Sequence, residues 1–543
     1  METGRKFTAS DHSPHSAGKV SSLSNSPFSV AIVLLAGLSV RIYEASAYFL
    51  DPDEALHTLL ARYDSATLTY KATLTTAHPP LLIIFLHYWQ WLGRSEFVLR
   101  LPSLVAGTLS CWLLYLWMRK IADESTAFVV LLLCSFAPAL IELSTQVRQY
   151  AILNLFLATA LYCSERALQG KSTLWMNLFS LSLCGAVLTH YSAFLFVFSM
   201  GVYLLVRLRP WRNRNKLFGV WAAGQVLVAA LCAFFLLVHI PQLKQVGMPQ
   251  EIANTWLRRS IYHPGESSAL IFPARQTLRV FTYLFSQGLL GTVALLFFLS
   301  GFILLIRGKS AERERPSSRE LAVLIATPFA VNCILAIAGI YPYGGTRHDV
   351  YLAPFAFAGI SFGFPWKPKH VEWKVAVTVA CLALCNVFPA PPPLIRAKDH
   401  RAGLMQQAFA SLKTQAPPGS TLFVDYQSGL ELGYYLCDRN VLQVFYPLEP
   451  FSRMTCGPYT VVAPSSQQWQ FEPGNMTPAL HNAVQRYQLP PKSVLWLFEA
   501  GAGWMPADKR KVEAELSSLG CKAQHFGENI RICPITIGDD SAR

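Results

Sequence analysis

Long apolar runs, separated by short polar stretches, repeat along the first 390 residues of the chain. Runs long enough to cross a bilayer, or nearly so, cover Pro27–Tyr48, Leu101–Met118, Thr126–Leu143, Gln149–Cys163, Leu174–Leu188, Ala193–Val206, Leu217–Ile240, Leu278–Ile306, Leu321–Ile340, Val350–Phe364 and Val375–Pro389. A helix needs roughly twenty apolar residues to span the hydrocarbon core. The pattern therefore predicts a mainly α polytopic membrane module over 27–390, with about eleven transmembrane helices. The polar, Ser- and His-rich stretch 1–26 reads as a disordered cytoplasmic tail. It is too long and polar to open a cleaved leader, so the first run is expected to remain as a span.

One apolar segment is ambiguous. "HPPLLIIFLHYWQWLG", His78 to Gly93, is short for a span and carries His87, Gln90 and two Trp, which suits an interfacial helix. Charge decides the matter. If this segment lies on the surface and the N-terminus is cytoplasmic, Arg119/Lys120, Arg166/Lys171, Arg207–Lys216, Arg307–Arg319 and Lys367/Lys369/Lys374 all face the cytoplasm, as the positive-inside rule favours. If the segment spans, every one of those loops flips outward. The first arrangement creates two long external loops, 49–100 and 241–277. It also brings "DPDEALH", "AHPP", "STQVRQY", "THYS" and "YPYGGTRHD" to one face of the membrane.

Beyond Pro389 the pattern changes. "PAPPPLIRAKDH" reads as a Pro-rich linker, and 391–543 as an extracytoplasmic α/β domain. "RAGLMQQAFASLKTQ" and "SGLELGYYLCD" have helical periodicity; "STLFVDY", "PYTVVAP" and "SVLWLFEAG" read as strands. Composition agrees with a membrane protein: 52% of the 543 residues are hydrophobic and 14% charged, with a mean hydropathy of +0.32. The net charge of +14 is explained by basic cytoplasmic loops, so no nucleic-acid partner is inferred. Eight of the twelve Cys lie in the membrane module. Cys437, Cys456, Cys521 and Cys533 lie in the last domain, where an oxidising compartment permits one or two disulfides of undefined pairing.

The polar clusters carry the chemistry, each against a structural alternative. Asp51 suits the N-cap of a helix starting at Pro52. Asp53 and Glu54 could take a proton from a hydroxyl nucleophile or hold a divalent metal ion, with His78 as a third ligand. His78 could equally reach a phosphate, or merely precede an interfacial helix. Arg148 either snorkels to headgroups or binds a specific anion. His190 and Tyr191 occupy a very short external turn, as a satisfied helix end or as part of a site. In "YPYGGTRHD" the glycines permit close approach of backbone to a ligand, Arg347 and His348 offer donors to a phosphate, and Asp349 could orient them. No Walker A or GxGxxG motif occurs. A lipid-linked phosphate donor would reach an external site where nucleotides do not.

"DPDEA", "HPPLLIIFLHYWQWLGRSEFVLRLPSLVAGTL", "APALIELSTQVRQYA" and "THYSAF" together resemble membrane glycosyltransferases of the GT-C class. The similarity is greatest to the bacterial branch related to protein O-mannosyltransferases and lipid A aminoarabinose transferases. It is strong over about 41–196, weaker through "GGTRHDVYLAP" and not evident in the last domain. The resemblance implies a polyprenyl-phosphate-linked sugar donor and an external acceptor, with Asp53 as base and Glu54 assisting it or binding metal. It aligns the family's HPP histidine with His78 and its motif arginine with Arg148; the motif's Glu is replaced by Gln146, which removes one acidic ligand.

The reading that unites these features is inverting sugar transfer at the extracytoplasmic face of a bacterial inner membrane. Arg148, Arg347 and His348 would hold the donor phosphate, and Asp53 would deprotonate or orient the acceptor hydroxyl on a protein, glycolipid or cell-wall glycan. The external loop 241–277 would close over the site. Two rivals are a flippase for lipid-linked glycans, which would place polar residues at mid-depth, and a membrane anchor acting through its last domain.

Overall fold

The computed structural model describes residues 26–537 except 75, 209–214, 246–255, 309–314, 365–370, 388–400, 438–448, 465–470, 501–508 and 529. The expected disordered tail, the Pro-rich linker, much of both basic loops and part of the expected lid thus lie outside the described residues.

The chain enters the membrane module through α1 (Pro27–Ala47), whose Ser26 side chain accepts the Phe28 N–H as an N-cap. Three short helices follow in the loop after it: α2 (Pro52–Leu60), α3 (Ala66–Thr73) and α4 (Leu81–Trp89). At nine residues, α4 is about 13 Å long, less than half a hydrocarbon core. The bundle continues with α5 (Glu96–Ile121), α6 (Glu124–Phe136), α7 (Pro138–Ser144), α8 (Tyr150–Gly170), α9 (Thr173–Thr189) and α10 (Ala193–Arg207). Next come α11 (Asn215–Phe234), which passes through a π-helical turn at Phe235–His239 into α12 (Ile240–Gln245), then α13 (Ile271–Phe285), α14 (Gly288–Arg307), α15 (Ser318–Ile337), α16 (Ala353–Phe362) and α17 (Val371–Val387).

Among the described residues six helices are long and apolar enough to cross a membrane: α1, α5, α8, α11 with its continuation to Gln245, α14 and α15. The pair α6–α7, bent by 56°, makes a seventh, and α9, α10 and Trp373–Val387 are shorter apolar helices. Three expected spans therefore differ from the sequence reading. The run Thr126–Leu143 is broken because Pro138 starts a new helix. The run Leu278–Ile306 splits at Ser286, which adopts a left-handed conformation with φ 53°, and α13 and α14 fold together. Gly291 permits that hairpin, since a Cβ there would stand 2.5 Å from the Thr282 backbone. The run Val350–Phe364 yields only the ten-residue α16, buried over its whole length inside the bundle.

The broken span is pinned by a charge. Arg41 is 1% exposed and donates from Nη1 to the Ser135 carbonyl (2.7 Å), from Nη2 to the Cys134 carbonyl (3.2 Å) and from Nε to Ser144 Oγ (2.8 Å). The two carbonyls, of Cys134 and Ser135, are those that the break at Pro138 deprives of helical partners. Arg41→Met would leave them buried and unpaired. We expect a loss of about 2–4 kcal/mol, read as a fall in the unfolding midpoint of the detergent-purified protein, with Arg41→Lys intermediate; an unchanged midpoint would refute the pin.

The last domain is a six-stranded mixed sheet of order β2-β3-β1-β4-β6-β5. Its elements are α18 (Ala402–Gln415), β1 (Thr421–Phe423), α19 (Tyr426–Tyr435), β2 (Phe451–Cys456), β3 (Tyr459–Pro464), α20 (Met476–Tyr487), β4 (Val494–Glu499), α21 (Lys509–Ser518), β5 (Gln524–Phe526) and β6 (Ile530–Thr536). The central strand β1 pairs in parallel with β3 and β4. Disulfides join Cys437 to Cys456 and Cys521 to Cys533. Helix α19 packs on α2 through Leu430, Ala55 and Leu59. The Tyr435 hydroxyl accepts the Leu50 N–H (3.0 Å) and bonds Glu96, while Tyr434 donates to the Arg94 carbonyl (2.7 Å).

Candidate active site

Helix α2 presents the acidic stretch. Asp51 is its N-cap: Oδ1 accepts the Glu54 N–H (2.8 Å) and Glu54 Oε2 accepts the Asp51 N–H (3.1 Å), a capping box. Burial, with Glu54 and Asp53 nearby, pushes the Asp51 carboxyl up to about 7. On a helix, successive side chains diverge by about 100°, and Asp53 and Glu54 do so here.

Asp53 faces two guanidiniums. Its Oδ2 lies 2.7 Å from Arg148 Nη1 and 2.8 Å from Arg347 Nη2. Burial alone would raise this carboxyl, but the two guanidiniums outweigh it and hold Asp53 well below the usual carboxylate range. Arg148 lies in the irregular segment between α7 and α8 and is 1% exposed. Arg347 and His348 open the 3₁₀ turn Arg347–Leu352. Asp349 anchors that turn, accepting from Asn332 Nδ2 (2.6 Å), the Gly344 N–H (2.9 Å) and Thr346 Oγ1 (3.2 Å). The two glycines matter for packing: a Cβ on Gly345 would stand 2.6 Å from the Arg279 carbonyl oxygen.

Glu54 points elsewhere. Oε1 accepts from Arg100 Nε (2.9 Å) and the Val147 N–H (2.7 Å), and Oε2 from Arg100 Nη2 (2.6 Å). Arg100 also donates to the Ala45, Tyr48 and Phe49 carbonyls at 2.7, 2.7 and 3.1 Å. The expected second acid of the site is thus a buried strut that ties α2, the end of α1 and the Arg148 segment together. Among the described residues no three His, Cys, Asp or Glu side chains group as metal ligands. The set Asp53, Glu54 and His78 does not fit a divalent cation, because Glu54 is committed to Arg100 and Asp53 to two cations.

Four imidazoles line up beside the Asp53 cluster. The ring centroids of His57 and His78, of His78 and His190, and of His190 and His348 are each 5.7 Å apart. Tyr150 lies 5.4 Å from His190 and 6.4 Å from His348, and the Arg148 guanidinium sits 5.7 Å from the Tyr150 ring centre. Sequence reasoning missed His57, Tyr150 and Arg100; the i, i+4 spacing of Asp53 and His57 was the available signal for the first. His57 Nδ1 lies 2.6 Å from the Asp53 carbonyl, so it donates and leaves Nε2 as an acceptor. His190 Nδ1 accepts the Ser192 N–H (3.1 Å), so a neutral ring carries its proton on Nε2. Burial, reinforced by Arg148, holds both rings down at about 3, and His78 and His348 well below the ordinary value.

Several buried polar atoms here have no hydrogen-bond partner among the described residues: His57 Nε2, His78 Nδ1, Arg148 Nε, and the Tyr150 and Tyr191 hydroxyls. Unsatisfied buried groups are rare and call for an explanation. Neutral imidazoles, two guanidiniums and unpaired donors at one end of a helical bundle suit an anion with attached hydroxyls.

A helical bundle of this design, with its polar centre set between the loop helices and the bundle ends, has the GT-C architecture of membrane glycosyltransferases. In particular, the chain resembles protein O-mannosyltransferases and ArnT. The model of the dolichyl-phosphate-mannose-protein mannosyltransferase family matches residues 77–237. ArnT from Cupriavidus metallidurans, solved bound to undecaprenyl phosphate, superposes with a TM-score of 0.50 at 14% identity, over 93% of this chain and 97% of that one. The Pmt1–Pmt2 protein O-mannosyltransferase complex of S. cerevisiae, solved with its sugar donor, matches at 17% identity and a TM-score of 0.32, over 39% of this chain and 33% of that one. The oligosaccharyltransferase of Archaeoglobus fulgidus matches at 10% identity and a TM-score of 0.42, over 75% of this chain and 64% of that one. The chain thus spans a third to under two thirds of the length of the latter two. No curated protein matches the sequence.

Proposed function

We propose that the protein transfers a sugar from a polyprenyl-phosphate carrier to an acceptor hydroxyl, with inversion, at the extracytoplasmic face of a bacterial inner membrane. The observation that carries this reading is the Asp53 carboxylate held between Arg148 and Arg347 beside unpaired buried donors. The lipid tail lies among the helices and the phosphate takes the guanidiniums. Asp53 occupies the place of that anion until the donor arrives. As the phosphate draws Arg148 and Arg347 away, the carboxyl loses the charges that depress it and becomes a stronger base. The acceptor oxygen then attacks the anomeric carbon, its proton passes to Asp53, and the bond from that carbon to the phosphate oxygen breaks. The leaving lipid phosphate stays with the arginines, which favour the transition state electrostatically. Two disulfides in the last domain support placing it in an oxidising compartment, and its contact with α2 suits a role in presenting the acceptor, a protein, glycolipid or cell-wall glycan.

The test is reconstitution in liposomes with labelled undecaprenyl-phosphate sugars and an envelope extract as acceptor source. We expect labelled product of inverted configuration and one free undecaprenyl phosphate per transfer. Arg148→Ala and Arg347→Ala should each raise the donor KM by about a hundredfold, as loss of a charge-assisted pair implies. Retained configuration, or no transfer from any such donor, would refute the proposal.

A further inference from the structure

Next to the phosphate cradle lies a second polar group of different character. Tyr70 of α3 bonds His239 Nε2 at 3.1 Å across 169 residues of sequence. His239 closes the π-helical turn at Phe235–His239 and is 1% exposed. Its ring packs against Phe235 (4.7 Å between centroids) and Phe234 (5.7 Å). Tyr191 packs edge-on against Phe235 (6.0 Å) and Phe194 (5.9 Å). Tyr191 directly follows His190, so this aromatic set adjoins the histidine column. Two of its polar atoms, the Tyr191 hydroxyl and His239 Nδ1, are buried with no hydrogen-bond partner among the described residues.

The chemistry of this set is specific. Flat aromatic faces with neutral hydroxyl and imidazole groups recognise a ring that is apolar on one face and hydroxylated at its edge. None of Tyr70, Tyr191, Phe194, Phe235 and His239 carries a carboxylate for an amine or a guanidinium for an acid. A π-helical turn is rare and concentrates at functional sites; here the widened turn closes on His239. Two unpaired buried polar atoms in one apolar setting are destabilising unless a ligand completes them.

We propose that Tyr70, Tyr191 and His239 form the glycosyl subsite of the donor and select an uncharged sugar over an amino sugar or a uronic acid. This rests on the donor reading above. The Tyr191 hydroxyl and His239 Nδ1 bond the sugar hydroxyls, Tyr70 fixes the His239 tautomer by its bond to Nε2, and the Tyr191 ring covers the apolar face.

The decisive measurement is binding to the full-length purified protein of three probes: undecaprenyl phosphate, the same lipid carrying a neutral hexose, and the same lipid carrying an amino sugar. Wild type should bind the neutral-sugar lipid at least tenfold more tightly than the amino-sugar lipid. Tyr191→Phe and His239→Phe should each weaken the neutral-sugar lipid by about five- to tenfold, the loss of one hydrogen bond, and leave bare undecaprenyl phosphate within twofold. Unchanged binding of the sugar lipid by both variants, equal loss of sugar lipid and bare lipid, or preference for the amino-sugar lipid would each overturn the subsite. Failure of all three probes to bind wild type would instead overturn the donor reading on which it rests.

Discussion

Asp53→Asn should lower the transfer rate by about a thousandfold while undecaprenyl phosphate binds the variant at least as tightly as wild type. The two halves have one cause. Asn removes the proton acceptor, and a positioned base contributes roughly 10²–10⁴ in rate. The same change removes the anion that occupies Arg148 and Arg347 at 2.7 and 2.8 Å, so phosphate no longer competes with a carboxylate for the two guanidiniums. Like charge is then left uncompensated in the empty site, and the lipid phosphate should raise the unfolding midpoint of Asp53→Asn more than that of wild type. Rates come from labelled-donor turnover and affinities from lipid titration of the purified protein. Transfer within tenfold of wild type would remove Asp53 from the chemistry. Loss of lipid phosphate binding together with transfer would mean that Asp53 organises the arginines, which is a positioning role.

Much of this site stands out in the sequence because charge at the end of an apolar run is conspicuous. Arg148, His190 and the Arg347–His348 pair are polar groups at the ends of largely apolar runs, and the structure brings them together with Asp53 and His78. The separation of Glu54 from Asp53 has a simple physical origin. Adjacent letters suggest adjacent groups, yet once Pro52 starts a helix, positions 53 and 54 must diverge. The partner that claims Glu54, Arg100, lies 46 residues on. His57 was hidden for the converse reason: four letters from Asp53, it is one helical turn away on the same face. Tyr70 and His239 meet only because α3 lies against the end of α11, a contact that no local pattern encodes. The breaks at Pro138 and Ser286 differ in the same way, since proline announces its break and a left-handed serine does not. In the last domain the apolar strands β1, β3 and β4 were legible, whereas β2 and β6 interleave polar or charged residues and β5 has only three.

The clamp between Glu54 and Arg100 yields the largest expected effect on stability. Both side chains are almost fully buried, 2% and 3% exposed. Glu54 receives Arg100 Nε and Nη2 and two backbone N–H groups, and Arg100 serves three carbonyls near the end of α1 as well. A buried pair of this kind adds little over an apolar replacement of both partners, but removal of one partner leaves an uncompensated charge and is destabilising by about 3–5 kcal/mol. Arg100 is the more costly loss, because Glu54 and three carbonyls are then orphaned at once. We therefore expect Arg100→Met to lower the unfolding midpoint further than Glu54→Gln, which keeps an acceptor for the Val147 N–H. The double variant Glu54→Gln/Arg100→Met should be less destabilised than the sum of the singles by at least about 1 kcal/mol, the mark of direct coupling. Activity should fall with the singles because α2 carries Asp53 and the Val147 N–H holds the neighbour of Arg148. Strictly additive midpoints, or a Glu54→Gln variant as stable as wild type yet inactive, would return Glu54 from the frame of the site to its chemistry.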